Sequence, residues 1–434
     1  MKIGYANKKL PKYILTLGLI LCATLAISLY LSNHKTDLKP SANSSEVGAT
    51  EQVWQFVNKY FYDKNFNGVE WDSVLNRYPV NSTTSQQQEA DSINRMLAEL
   101  EASHTAYYTR DMPSFYQLLG IFLPNNAALR EEFEAINSAS NTKYTGIGIF
   151  TRLIGQKRFV SGVLHGGPAD IAGILLGDEI LEVNGEPFHP MKSFNGEANK
   201  PVNIRILRTA NSKNEQVIET VPQMLDGTTM FLNALNESVE IVRQNNTEIG
   251  YVRVWSFAGK QYRAALEQLL LYGRLRDVDA LVLDLRGGWG GGNASDLNFF
   301  RKDNILYESI GGEDFSYSTQ SAWTKPVVLL TDGDSRSGKE VFAYGFKKYG
   351  IGKIVGERTA GAVLGGAPFF TDDGGVLYLA VSDVLLDNNI RLEGVGVEPD
   401  IHVPFELAYT AGNDPQKKRA MAVALEAAKK SARF

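Results

Sequence analysis

The sequence predicts a multidomain α/β chain, in which an N-terminal helical segment and a small β domain precede an α/β core. Three patterns carry this prediction. Apolar residues recur at helical spacing between residues 51 and 135, as in Val53, Phe56, Val57, Tyr60 and Phe61. Short β runs bounded by glycine turns fill residues 144–210. Strand and helix patterns then alternate over residues 245–410, as they do where helices cover a largely parallel sheet. With 434 residues, 44% of them hydrophobic, the chain is long enough to bury several cores.

Taken in order, residues 1–12 carry Lys2, Lys8, Lys9 and Lys12 ahead of an uncharged run, residues 13–31. As a helix that run spans roughly 28 Å, close to the apolar thickness of a bilayer. It reads as a membrane anchor, with the lysines cytoplasmic and everything after residue 32 outside. A cleaved signal peptide is the alternative, with Thr24-Leu25-Ala26 as the cleavage site. In a Gram-negative bacterium both readings place the folded part in the periplasm, and the first ties it to the inner membrane. Residues 32–50 are small and polar and read as a tether. In the helical domain, 51–135, a second helix is marked by Ile93, Met96, Leu97 and Leu100, followed by Ser103-His104-Thr105 and the pair Tyr107-Tyr108. A closing helix is expected within 411–434.

The β domain contains runs at 146–150, 159–164, 179–185 and 202–208, with a short helix closed by glycines at 166–178. This stretch resembles a PDZ domain. Gly146, Ile147, Gly148 and Ile149 stand where that family has its carboxylate-binding loop, which implies capture of a peptide tail as an added edge strand. A β domain serving only as a spacer is the plainer reading.

Two turns of the α/β core carry chemistry. The apolar strand 281–285 runs into Arg286-Gly287-Gly288-Trp289-Gly290-Gly291-Gly292, and the strand 327–330 runs into a turn whose Ser337 precedes a helical pattern. Glycines let backbone amides face a ligand, and a serine entering a helix sits among free N–H groups at the positive end of the helix dipole. Together the turns suit acyl transfer, with Ser337 as nucleophile and the amides of Gly338 and a glycine of the first turn as oxyanion donors. Alone, each turn has a plainer meaning: a glycine turn can bind phosphate, and a serine before a helix is usually a cap. GGWGGG has neither P-loop nor dinucleotide-fold spacing.

Composition narrows the classes. The net charge of −5 and the absence of a basic block beyond the N-terminus argue against nucleic acid. A single cysteine, Cys22, excludes an intrachain disulfide framework and a cysteine-based zinc site. The five histidines form no metal-binding pair, so no metal and no other cofactor is expected.

Anchor, helical segment, PDZ-like domain and α/β core with two glycine turns together resemble the C-terminal processing peptidases, a family of serine proteases, over residues 51–407. The resemblance implies a crotonase-like core of ββα units. The family's DLRxxxGG turn supplies an oxyanion amide, which points to Gly290, with Gly287 and Gly288 as alternatives. Its serine turn, roughly GSASASE, aligns through Glu340 and places the nucleophile at Ser337. Asp284 and Arg286 are expected to orient the first turn and Trp289 to line the pocket or pack.

The general-base lysine of typical members would stand at position 362, which is Ala362 here. A serine needs some base to take its proton. Lys339 lies two residues on along the same helix and should face away, and Lys353 has no motif behind it. A subgroup resembling the tricorn proteases lacks the lysine and uses a Ser–His–Glu arrangement. That resemblance implies His104 as base, oriented by Glu393 and assisted by Ser103, with Glu398 as an alternative acid. The expectation is a membrane-anchored serine endopeptidase acting on protein or peptide substrates. A catalytically silent peptide-binding scaffold of the same fold is the alternative, and a small-molecule esterase would share the chemistry.

Overall fold

The computed structural model describes residues 48–432, except 80–83, 138–141, 293, 302–305, 311–315, 321 and 388. The expected anchor, 13–31, lies outside the described residues, as does most of the tether. Among the described residues, no helix is long and apolar enough to cross a membrane.

The core is a six-stranded sheet in the order Glu240–Gln244, Thr247–Arg253, Ala280–Asp284, Val327–Thr331, Gly352–Gly356, Ile401–His402. The first pair is antiparallel and the others are parallel. Leu281 and Leu283 face the layer that holds Phe342, Ala343 and Phe346 of helix Gly338–Lys348. Ala280 and Val282 face Ala420, Val423, Ala424 and Ala428 of helix Pro415–Ser431. A strand covered on both faces must be apolar at every position, which is why this stretch reads as an unbroken hydrophobic run. Since Ala280–Asp284 and Val327–Thr331 are parallel neighbours, the turns that follow them leave the sheet side by side. Open α/β sheets bind their ligands outside these carboxyl ends.

The closing helix is tied to the first turn. Asp414 caps it by accepting from the Lys417 amide at 2.8 Å, and the same carboxylate accepts from the Arg286 guanidinium at 3.0 and 2.7 Å. Arg286 also donates to the fully buried Asp284 at 2.7 to 3.1 Å. Burial opposes the charge on Asp284, but the guanidinium groups of Arg286 and Arg253 outweigh it and hold the carboxyl well below its usual range.

The N-terminal region holds helices Ala49–Tyr60, Gln86–Ala98, Pro113–Phe122 and Ala127–Ile136. Its wholly helical sequence pattern hides one strand, Ala106–Tyr108. Three residues are too few for an alternating pattern to register. The strand is fixed from outside: it pairs antiparallel with Val376–Ser382, which pairs in turn with Gly365–Phe370. Asn94, on the preceding helix, exchanges two 2.8 Å hydrogen bonds with the Tyr107 backbone.

The β domain is a sheet in the order Ile149–Ile154, Lys157–Val163, Glu179–Val183, Val202–Leu207, Glu215–Thr220, so it continues past residue 210. Its entry and exit strands, Lys143–Gly146 and Gln223–Asp226, pair with each other. Phe150 on its edge strand stacks on Trp255 of the core, ring centroids 5.0 Å apart and 11° from parallel.

Candidate active site

The two turns leaving the sheet are in direct contact. Ser335 donates from its hydroxyl to the Leu285 carbonyl at 3.0 Å, and the Asp332 carboxylate accepts from the Gly287 amide at 3.1 Å. The contact is close enough to require glycine on both sides. A β-carbon at Gly290 would stand 2.4 Å from Ser337 Cβ and 2.9 Å from its Oγ; one at Gly338 would stand 1.8 Å from the Gly291 carbonyl oxygen. Ser337 caps the helix with φ 60° and ψ −129°, a left-handed conformation costly for a residue with a side chain. A sharp, strained turn of this kind between strand and helix exposes a serine hydroxyl in nucleophile elbows.

Most polar groups of the first turn are engaged. The Trp289 amide donates to the Trp255 carbonyl at 2.8 Å, the Gly290 carbonyl accepts from the Phe257 amide at 3.0 Å, and the Gly287 amide is held by Asp332. Among the described residues, neither the Gly290 nor the Gly338 amide has an acceptor. These donors sit at the Ser337 turn; the engaged Gly287 amide sets that alternative apart, while the Gly288 amide likewise has no acceptor among the described residues. Trp289 is buried and donates from its indole to Gln117 at 2.8 Å.

The histidine arrives from 233 residues upstream in the sequence, delivered by the pairing of Ala106–Tyr108 with Val376–Ser382. His104 is 5% exposed, with φ 56°. Glu393 does not touch His104 directly: Ser103, the expected assistant, stands between them. Ser103 Oγ lies 2.9 Å from His104 Nδ1 and donates to Glu393 Oε2 at 2.9 Å, while the Ser103 amide donates to Oε1 at 3.0 Å. The hydroxyl has one proton, and Glu393, as a carboxylate, can only accept. The hydroxyl oxygen therefore accepts from Nδ1–H, which leaves the lone pair on Nε2. Burial, reinforced by the charge of Arg336, pushes the imidazole pKa down to about 3, so the ring is neutral and able to accept a proton.

One loop joins the serine to the glutamate. Ser337 donates its amide to the Ala362 carbonyl at 2.8 Å. The Gly361 and Ala362 amides each donate to Glu340 at 2.7 Å, and the Val363 and Leu364 amides donate to Glu393 Oε2 at 2.6 and 3.2 Å. Glu340 also accepts from Ser337 N at 3.2 Å and from Thr359 Oγ1 at 2.6 Å. Sequence reasoning used Glu340 only to set the alignment, and its signal was the acidic residue three places after the cap.

The remaining candidates lie elsewhere. Lys339 is fully buried under the first turn, where its ammonium donates to the Gly287 and Trp255 carbonyls at 2.5 and 3.2 Å. Lys353 pairs with Asp400 at 3.7 Å, and Glu398 pairs with Arg358 at 3.8 Å on the surface. In the β domain, Ile147 is buried, its carbonyl accepts from the Ala169 amide at 2.9 Å, and the Gly148 carbonyl accepts from Leu164 at 2.8 Å. Gly146 ends an entry strand, and Ile149 begins the edge strand, on which Leu153 and Ile154 are exposed.

The tightness of the Gly290–Ser337 contact predicts the effect of one methyl group. Gly290→Ala should slow reaction of Ser337 with a serine-directed probe by at least ~10²-fold, the cost of a displaced oxyanion donor. Overpacking should lower stability by only about 1–3 kcal/mol. Labelling at the wild-type rate would show that the turn tolerates the shift.

Residues 248–403 match peptidase family S41, and residues 159–208 match the PDZ domain. The C-terminal processing peptidase of Tetradesmus obliquus chloroplasts is 24% identical over 86% of this chain and 80% of its own length. The carboxyl-terminal-processing protease of Picosynechococcus sp. is 23% identical over 82% of each chain. The tricorn protease structure shares the fold at a TM-score of 0.51 and 18% identity, over 88% of this chain and 36% of that one. With an S41 peptidase core and a PDZ domain matched, the chain is a serine-type peptidase similar over most of its length to the C-terminal processing peptidases.

Proposed function

We propose that this peptidase is an endopeptidase that cleaves proteins or peptides through an acyl-enzyme, without the lysine base of typical relatives. Ser337 is the nucleophile, His104 the general base, Ser103 and Glu393 its orienting relay, and the Gly290 and Gly338 amides the oxyanion donors. The observation that carries this reading is the relay from His104 Nδ1 through Ser103 to Glu393, closing on the loop that also holds the Ser337 amide.

The steps follow from the hydrogen bonds. Ser337 Oγ attacks the scissile carbonyl carbon and passes its proton to Nε2, since Nδ1 is occupied. The oxygen that gains charge is received by two amides that need no reorganisation. Imidazolium then protonates the leaving amine. Water enters, gives its proton to the same nitrogen and releases the acyl group. Glu393 stabilises the imidazolium through the Ser103 hydroxyl, as the buried acid does in other serine hydrolases. A Ser–His–Glu set without lysine is the arrangement implied by the tricorn-like resemblance.

The PDZ domain supports recognition of a peptide tail. Its loop 146–149 leads into an edge strand, the geometry by which such domains add a peptide as an extra strand. Lys2 to Lys12, ahead of the uncharged run 13–31, support a single anchor in the inner membrane of a Gram-negative cell, with the catalytic part in the periplasm.

Three measurements test these readings. A fluorophosphonate probe should label the fragment 33–434 only at Ser337. Ser337→Ala should remove the label, and His104→Ala should slow labelling by about 10²–10⁴-fold. For the wild type the rate should hold between pH 7.5 and 5, because a base whose pKa lies at about 3 stays neutral there. An imidazole of ordinary pKa would be ~97% protonated at pH 5, so a fall of that size would remove His104 as the base. For the PDZ domain, amidating the C-terminus of a bound peptide should weaken binding; equal affinity would exclude carboxylate capture. For the anchor, the full chain should stay with membranes after carbonate washing, whereas release of a shortened chain would favour the signal peptide.

A further inference from the structure

Arg336 precedes the nucleophile, and among the described residues its charge has no partner. Among the described residues its guanidinium meets no carboxylate and makes no side-chain hydrogen bond. It lies half-buried over the ring of Trp289, 5.6 Å from the centroid, at the glycine turn that carries the Gly290 amide. Its field reaches His104, Tyr108 and Tyr378. These groups adjoin one another: the Tyr108 and Trp289 rings are 6.5 Å apart, and the His104 and Tyr378 rings 5.4 Å. The acids of the neighbouring turns are engaged elsewhere. Asp334 pairs with Arg152, Asp332 holds the Gly287 amide, Glu340 holds the loop 361–362, and Glu393 holds Ser103. The resembling serine turn has alanine at this position, so the cation belongs to this chain.

We propose that Arg336 selects substrates bearing a carboxylate next to the scissile bond, supplied either by an acidic side chain or by the free C-terminus of the chain being trimmed. The proposal rests on Ser337 being the nucleophile. A guanidinium presents a planar fork matched to a carboxylate, and one held against an indole face loses little freedom on binding. The position explains why selection would reach the chemistry. An unpaired cation beside His104 opposes formation of the imidazolium, and a substrate carboxylate would cancel that charge as it binds. The carboxylate is therefore expected to raise kcat as well as lower KM.

Two substrate pairs separate the sources. One compares glutamate with glutamine at the residue whose carbonyl is attacked. The other compares a free with an amidated C-terminus two residues beyond the scissile bond. In the wild type at least one pair should favour the carboxylate by about 10- to 100-fold in kcat/KM, the size of a charge-assisted hydrogen bond in a partly buried site. The pair that does so identifies the source. In Arg336→Gln that ratio should fall to within about threefold of unity, and Arg336→Glu should favour lysine over glutamate. Ratios near unity for both pairs in the wild type overturn the proposal, as does a ratio that survives Arg336→Gln. If the glutamine variant does not react with the fluorophosphonate probe, Arg336→Lys decides. Lysine cannot make two parallel bonds, so its ratio should drop several-fold, and an unchanged ratio rejects the selecting role. Probe labelling of wild-type Ser337 tests the underlying nucleophile: a labelled enzyme without preference sinks only the role of Arg336.

Discussion

Two buried or half-buried carboxylates hold four consecutive amides, and the site depends on that grip. Glu340 takes Gly361 and Ala362; Glu393 takes Val363 and Leu364. Hydrogen bonds from amides to an ionised acceptor are among the stronger ones, and the loop they bind has no regular structure of its own to fix it. Each carboxylate also holds one catalytic candidate. Glu340 sits on the helix that Ser337 caps and accepts its amide, while Glu393 accepts the amide and hydroxyl of Ser103, next to His104. The loop thus ties the serine turn to the segment that carries His104, which comes from another part of the chain. Burial pushes the Glu340 pKa up, which makes its hydrogen bonds the condition for keeping the charge.

The same loop explains how the lysine can be missing. Position 362, where typical relatives place the base, contributes only backbone here: its amide goes to Glu340 and its carbonyl takes the Ser337 amide. The side chain is a methyl group. Removing a lysine from this position leaves the scaffold intact because the scaffold uses none of its side-chain atoms. The proton acceptor can then come from across the sheet, provided another element brings it near. The pairing of Ala106–Tyr108 with Val376–Ser382 supplies that element, and Gly365–Phe370 links it to the loop.

Legibility in the sequence followed the distance along the chain over which each contact closes. Ser337, Gly338 and a glycine of the first turn could be proposed from local patterns, a strand ending in a glycine turn and a strand ending in a helix cap, whereas singling out Gly290 needed the family resemblance. His104 and Glu393 needed the family resemblance, since their connection through Ser103 spans 290 residues and no local pattern encodes it. The resemblance also implied an assisting Ser103; that its hydroxyl stands between the imidazole and Glu393 is seen only in three dimensions. The strand Ala106–Tyr108 was hidden by its length. Lys339 reads only as facing away from Ser337 and Glu340 only as an anchor of the alignment, whereas both are fully buried. A burial of this kind is invisible to periodicity, which assigns charges to the outer face.

Lys339 shows what that burial costs and what it secures. Desolvation, reinforced by Arg253, lowers its pKa to about 7, although Asp332 and Asp284 pull the other way. The unfolded chain holds this proton up to a pH of roughly 10.4, the folded protein only to about 7. Between those values the unfolded state binds more protons, so this residue's contribution to stability rises with pH across that window and is unfavourable below it. A group that opposes folding at neutral pH needs another reason to be there. Its ammonium satisfies the Gly287 and Trp255 carbonyls, and the second of these also receives the Trp289 amide. With both ends of the turn held from below, the Gly290 amide is left as a fixed donor beside Ser337. Stability is given up under the turn, and the carbonyls that hold both of its ends beside Ser337 are satisfied in return.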